Sequence, residues 1–348
     1  MAIRLKGRPF DVKGSKNVTD CFTAEEVIRK SGLNFEVEKA PIYAKADYAN
    51  SSTGELAGLI YVAKENNFFM PINNAYATFR TDVNYPLGLV TNSYEIVQNV
   101  DAFKFFDKAI GKDKAIWQTA GQFGNGRCIF VSAKLPNTIT VNGDPVDNYL
   151  VFTNTHDGSG GVKILFTPIR VVCQNTLNAA INTATNFVSF RHTKSVHDNI
   201  DIANEILGIC NTKTKVMKEG FDRLATINLN DEQAAETFAS VILDNNDIAR
   251  IRERDISIKR LAEGNSLLAD TAEISTRKFN ALYKLNHYYH MGIGQKEIEG
   301  TAWGVYNAVT GYYSNVHNME DDKRMQSLLY GTAANKIKEV GHKLLKIA

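Results

Sequence analysis

The chain has 348 residues, 44% hydrophobic and 22% charged, with 40 Lys and Arg against 38 Asp and Glu for a net charge of +2. That mix excludes a disordered or fibrous chain and supplies apolar material for one large domain or two ordinary ones. It also excludes a polycationic tail, while leaving room for a local basic groove.

No run approaches 18 apolar residues, and the opening MAIRLKGRPF has no apolar leader, so neither a membrane span nor a secretory signal is expected. Cys21, Cys128, Cys173 and Cys210 lie far apart without a CxxC pair. Scattered cysteines of this kind argue against thiolate zinc and fit a reducing compartment, so the expected location is the cytoplasm.

Taken in chain order, Thr23 and Glu26 have capping-box spacing and predict a short helix over 23–31. Residues 34–44 alternate and read as a strand ending near Pro41; 75–83 and 86–92 read as two more. Residues 101–110 carry a helical apolar face, with Asn99 or Asp101 as cap. Segments 115–123 and 127–135 flank Asn125-Gly126 and predict a hairpin, and Asn142-Gly143 marks another turn. Strands are expected over 147–155 and 161–172, a helix over 173–182, and a strand over 186–193. Beyond Ser195 the spacing is helical, over 195–225, 231–243, 245–262, 270–290 and 323–347.

The order predicts an α+β fold: an antiparallel sheet with a β-β-β-α core element, followed by a helical C-terminal half packed on it. The expected divisions are an N-terminal α/β segment over 1–74, the α+β core over 75–200 and the helical region over 201–348.

Polar residues concentrate between 147 and 193. His156, Asp157 and Ser159 form a trio within one turn, but triad members must approach from different directions, and no G-x-S-x-G elbow is present. A polar turn in which Asp157 bonds its own backbone is the stronger reading, with a functional role for the three left open. Arg170 at a strand end and Asn175 in the first turn of the next helix have the makings of an anion site, which Arg191, His192 and Lys194 join if the flanking strands are neighbours. Simple pairing of Arg170 and Arg191 with Asp157 or Asp198 stands beside it. Cys173 with His192 or His156 offers a nucleophile pair on paper, though flanking Val171, Val172 and Leu177 argue for an inert buried thiol.

Other signals are weaker. His287 and His290 share a helix face but have no third metal ligand near them in sequence, so no metal is expected. GQFGNG over 121–126 leads into a strand rather than a helix and is not a phosphate loop. Arg250, Arg252, Arg254, Lys259 and Arg260, and later Lys336, Lys338, Lys343 and Lys346, read as solvated faces. The sharper alternative is a groove tracking a nucleic-acid backbone, with Tyr283, Tyr288 and Tyr289 as stacking surfaces.

Segments 87–107, 151–181, 190–207 and 301–313 resemble, in order, blocks of the phage/plasmid-like protein family. The resemblance covers most of residues 75–330 and implies a mobile genetic element in a bacterial host cell; it brings no reaction with it. The β-β-β-α order is also similar to the core of single-strand annealing recombinases, in which a basic groove on a curved sheet holds DNA and protomers form rings or helices.

The function expected from these readings is a phage or plasmid DNA-metabolism protein that binds single-stranded DNA, with annealing of complementary strands as the further expectation. Lys163, Arg170, Arg191 and Lys194 neutralise phosphates in this reading; Asn175 caps one, and His192 lines the same pocket. No catalytic residue and no cofactor is expected. The expected partners are single-stranded DNA, further copies of the chain, and a phage exonuclease or single-strand-binding protein, with no membrane. Two alternatives remain: an enzyme centred on His156, Arg170, Cys173 and His192, and a non-catalytic interaction protein countering host defence.

Overall fold

In the computed structural model of the chain, residues 10–46, 60–62, 67–110, 115–170, 187–193 and 203–347 are described. Strand β1 (Lys16–Asn17) precedes helix α1 (Ala24–Ser31). Thr23 Oγ1 accepts from the Glu26 amide, and the Glu26 carboxylate accepts from the Phe22 and Thr23 amides, so the capping box closes.

Strands β2 (Val37–Ala46), β3 (Ile60–Val62), β4 (Asn67–Arg80) and β5 (Tyr85–Val90) form a four-stranded antiparallel sheet centred on β4. β2 continues past Pro41, where its end was expected. A register shift between Pro41 and Tyr43 lets the strand carry a residue that has no ladder N–H to donate. β4 runs through the 74/75 boundary and pairs with β2 and β5, so the N-terminal segment is tied to the core by this strand.

Helix α2 (Asn99–Ile110) leads to the larger sheet, β6 (Ile116–Phe123), β7 (Cys128–Val141), β8 (Asp144–Thr155), β9 (Val162–Arg170) and β10 (Phe187–Phe190). The order is β1-β6-β7-β8-β9-β10, antiparallel throughout. Both expected Asn-Gly turns form. Asn142 and Gly143 take φ 48° and 87°, the left-handed conformations a two-residue hairpin needs between β7 and β8.

The helical half comprises α3 (Ala203–Thr226), α4 (Asp231–Ile242), α5 (Asn245–Glu253), α6 (Ile258–Ala262), α7 (Ser266–Thr271), α8 (Thr276–Met291), α9 (Ala302–Gly311), α10 (Asp321–Tyr330) and α11 (Thr332–Leu345). Three runs expected as single helices are broken; the 270–290 run divides at Glu273, which turns left-handed at φ 53°. The 245–262 run divides at Asp255, which turns left-handed at φ 51°, and the 323–347 run divides at the extended Gly331.

β8 and β9 are buried almost end to end because the large sheet is covered on both faces. On one face Val131, Leu150, Phe152, Ile164 and Phe166 belong to the main core with Phe103 and Phe106 of α2, Phe221 of α3 and Trp303 of α9. On the other, Phe130, Val151 and Leu165 meet Met325 and Leu329 of α10, with Phe10, Val12 and Tyr330 packed against them. A strand buried on both sides loses its polar alternation, which is why β8 and β9 read as continuous apolar runs.

The helical half is fixed to the sheet by one buried polar knot. Asp144, at the start of β8, accepts from Arg170 Nε at 2.5 Å and from the Trp303 indole at 3.0 Å. Arg170 also donates to the Gly294 carbonyl at 2.7 Å and is 1% exposed. Removing one partner of such a pair strands a charge away from water and costs about 3–5 kcal/mol, whereas removing both together costs far less. Asp144→Ala is therefore expected to lower the urea midpoint sharply, and Asp144→Leu combined with Arg170→Met to recover most of the loss. A single replacement as mild as the double one would contradict this account.

Candidate functional site

The 156–161 turn joins the two sheets. The His156 amide donates to the Arg127 carbonyl at 2.7 Å, and Thr78 Oγ1 of β4 donates to the His156 carbonyl at 2.5 Å. A Cβ on Gly88 of β5 would lie 2.4 Å from the Asp157 Cα, and one on Gly158 would lie 2.7 Å from the Leu89 carbonyl oxygen. The glycines are thus required by close backbone packing of β5 on the turn. Asp157 Oδ1 accepts from both the amide (3.0 Å) and the hydroxyl (2.6 Å) of Ser159. This is the Asx-type turn that the polar reading of the sequence anticipated, and neither side chain engages His156.

His156 points the other way, into the core beside α2. Its Nε2 lies 2.8 Å from Asn99 Oδ1. Asn99 Nδ2 donates to the Leu33 carbonyl at 2.9 Å, so Oδ1 is the acceptor and Nε2 carries the imidazole proton. Asn99 is therefore not the cap expected of it; it is a buried bridge between α2, the chain before β2, and the turn. Burial first, and the charge of nearby His192 second, push the His156 pKa down to about 3, so the ring is neutral. Its Nδ1 finds no partner among the described residues.

His192 is also buried. Its Nδ1 lies 2.9 Å from the Glu95 carbonyl, and the Glu95 amide donates to the His192 carbonyl at 3.0 Å. Tyr94 stacks on the ring with centroids 4.5 Å apart and donates its hydroxyl to the Thr155 carbonyl at 2.8 Å. Burial lowers the His192 pKa as well. These groups bind the 94–95 segment to the ends of β8 and β10.

The expected anion pocket is accordingly not assembled from the described residues. Strands β9 and β10 are neighbours, as it required, but Arg170 is buried against Asp144 and His192 is buried against Tyr94. The acid that holds Arg170 is Asp144 rather than Asp157. Lys163 lies on the covered sheet face, its ammonium 3.7 Å from the centre of the Tyr330 ring. Arg191 is exposed. Asn175, Lys194, Asp198, the thiol of Cys173 and the helix expected over 173–182 lie outside the described residues. Cys128 is buried, its thiol pushed up to about 12 by desolvation, so it is inert.

The basic stretches divide into two kinds. Arg250 pairs with Asp247 and donates to the Ala272 carbonyl, Arg254 pairs with Glu273, and Lys259 with Asp231. These cations brace the helical half. On α11, Lys338, Lys343 and Lys346 enter no ion pair among the described residues. With Asn335, Glu339 and His342 they line a shallow groove of about 600 Å³. Beside it, Arg277 and Lys284 of α8, Arg324 of α10 and Lys336 of α11 all act on His317, whose pKa is lowered by burial first and by these four cations after it. Of the aromatics expected as stacking surfaces, Tyr288 and Tyr289 are buried, while Tyr283 is 41% exposed and lies over His287.

Residues 86–334 match the family described as Domain of unknown function (DUF932), and the chain belongs to that family. No curated protein and no solved structure matches it. No helix among the described residues is long and apolar enough to cross a membrane.

The buried histidines set a pH dependence. A histidine with a folded pKa below its unfolded value of about 6.5 takes up a proton more readily when unfolded, so its contribution to stability is intact above that value and is lost as pH falls below it. For His156 the loss runs from about 6.5 towards about 3. Urea denaturation at pH 7 and pH 5 should show a lower midpoint at pH 5, and His156→Gln should flatten that difference. An unchanged slope in the variant would remove His156 from this role.

Proposed function

We propose that this DUF932 protein binds single-stranded nucleic acid through the basic face of α11 and the adjoining cations of α8 and α10. The observation that carries the reading is the groove on α11, where Lys338, Lys343 and Lys346 have no carboxylate partner among the described residues and Glu339 is the one acid in the lining. Helix α11 is strongly amphipathic. Ala333, Ile337, Val340 and Leu344 anchor it in the core, which leaves the lysines on a rigid outer face. From Asn335 to Lys346 that face runs about 16 Å, a linear track for a phosphodiester chain. Arg277, Lys284 and Lys336 extend positive potential sideways around His317.

Lysine suits such a role, because it meets phosphates as a point charge without reading base edges. Backbone-only contact leaves the bases free, which fits annealing of complementary strands as well as simple binding. The resemblance to a family carried on phages and plasmids supports the same reading, since such elements need proteins that handle single strands. The contact surface proposed here is the helical half, not the sheet, because both sheet faces are occupied by the chain's own residues.

Fluorescence anisotropy with a labelled oligothymidylate tests the proposal. Binding is expected at low salt, falling linearly on a log-log scale as salt rises, with about 0.7 of slope for each phosphate neutralised. Lys338→Gln, Lys343→Gln and Lys346→Gln combined should weaken binding at least tenfold and reduce the slope by about 2. Arg191→Gln should leave both unchanged. Absence of binding at low salt would overturn the proposal, as would a triple variant that binds like the parent.

A further inference from the structure

We propose that Asp231, His290 and Glu299 form a binding site for one first-row transition-metal cation, of the zinc or cobalt class. The three residues each present a ligand atom, and these atoms all lie within 4.8 Å of one another. They come from three segments: Asp231 is the first residue of α4, His290 is in the last turn of α8, and Glu299 lies in the turn that leads to α9. The site is separate from the α11 groove and does not depend on nucleic-acid binding.

The frame beneath the ligands is stiff. Tyr289, fully buried next to His290, donates no freedom to the turn: its hydroxyl accepts from the Gly300 amide at 2.8 Å. The Leu229 amide donates to the Gly300 carbonyl at 2.9 Å, and the Ala302 amide to the Ile227 carbonyl at 2.8 Å. Gln295, within the same turn, is completely buried. The chain on both sides of Glu299 is therefore fixed to the chain just before Asp231. Asn230 and Gln233 close a capping box around the start of α4, which sets the backbone that carries Asp231. Pre-set backbone of this kind lowers the ordering cost that an assembled site would otherwise carry.

The donor set selects the metal. One imidazole nitrogen and two carboxylate oxygens suit a borderline cation better than magnesium, which prefers an all-oxygen shell and keeps its waters. Tetrahedral zinc with ligand bonds near 2.0–2.2 Å holds its donors about 3.3 Å apart, with water in the fourth position. The His290 Nδ1 to Glu299 Oε1 contact, now a 2.5 Å hydrogen bond, opens to that spacing when the metal takes the place of the shared proton. Asp231 swings inward from Lys259, whose ammonium lies 3.4 Å from it and is partly exposed. Lys259 thus competes with the metal for the carboxylate. His287, one turn earlier on α8, stacks on Tyr283 and is not part of the set.

Isothermal titration of the full-length, metal-stripped chain with zinc and cobalt chlorides decides the question. The expected result is saturable binding of one ion, a cobalt spectrum free of thiolate charge-transfer bands, and no comparable response to magnesium. His290→Ala and Glu299→Gln should each weaken binding by at least about tenfold. His287→Ala should leave it unchanged, and Lys259→Ala should tighten it severalfold. Non-saturable binding, a thiolate band, equal response to magnesium, or a His290→Ala variant that binds like the parent would overturn the assignment. Circular dichroism at matched temperature separates loss of the site from loss of fold.

Discussion

One buried carboxylate ties the helical half to the large sheet. Asp144 receives Arg170 from the neighbouring strand and Trp303 from α9, and Arg170 continues to the Gly294 carbonyl in the turn beyond α8. A charge in a site this dry is tolerable only while its hydrogen bonds are complete. The knot therefore acts as a register device as much as a source of stability. If α9 slid along the sheet, Asp144 would lose the indole, and Arg170 would keep a charge without its full set of acceptors. The apolar surface around it, Trp303 against Phe221 and Tyr306, contributes attraction but little direction.

The two sheets meet under a different constraint. Between β5 and the 156–161 turn there is no room for side chains, so the contact is backbone against backbone, and Gly88 and Gly158 are what permit it. His156 and Asn99 then seal the inner side of the joint with neutral hydrogen bonds. Neutrality is the point: an imidazolium here would be buried opposite His192 with no counter-charge on that side. The densest polar stretch of the sequence is thus an architectural joint, and both of its histidines are buried.

Local signals in the sequence were legible where the physics is local. The Thr23–Glu26 capping box, the Asn142-Gly143 hairpin and the Asp157–Ser159 turn each depend on residues within a few positions, and each forms. The sheet-then-helices order followed from periodicity, and the α+β architecture is observed. What failed was inference across distance. Arg170 gave the expected strand end, yet its partner lies 26 residues back and the indole that completes the knot a further 159 residues on from Asp144. Helix breaks at Asp255 and Gly331 were hidden because the apolar spacing continues across them while the backbone does not. His290 showed the same limit. Its spacing to His287 suggested a helix-face pair, but its neighbours in space come from a turn and from another helix.

Charge placement gives the strongest contrast within the helical half. Arg250, Arg254 and Lys278 are held by carboxylates or helix-end carbonyls, and their charge is consumed in bracing α5, α7 and α8. The Arg254–Glu273 and Lys278–Asp244 pairs are near the surface, and each adds little stability by itself, whereas the Asp247 carboxylate that holds Arg250 is buried. Along α11 the arrangement is reversed. Acidic residues are scarce, the lysines line one groove, and nearby His317 has its pKa lowered by burial first and by four cations after it, of which Arg324 is paired with Asp321. Self-repulsion of this kind lowers stability at low ionic strength and is relieved by anything anionic laid across it. A bound polyanion therefore gains twice, once from its own attraction and once from the repulsion it removes. The proposed binding of a phosphodiester chain along α11 draws on that coupling.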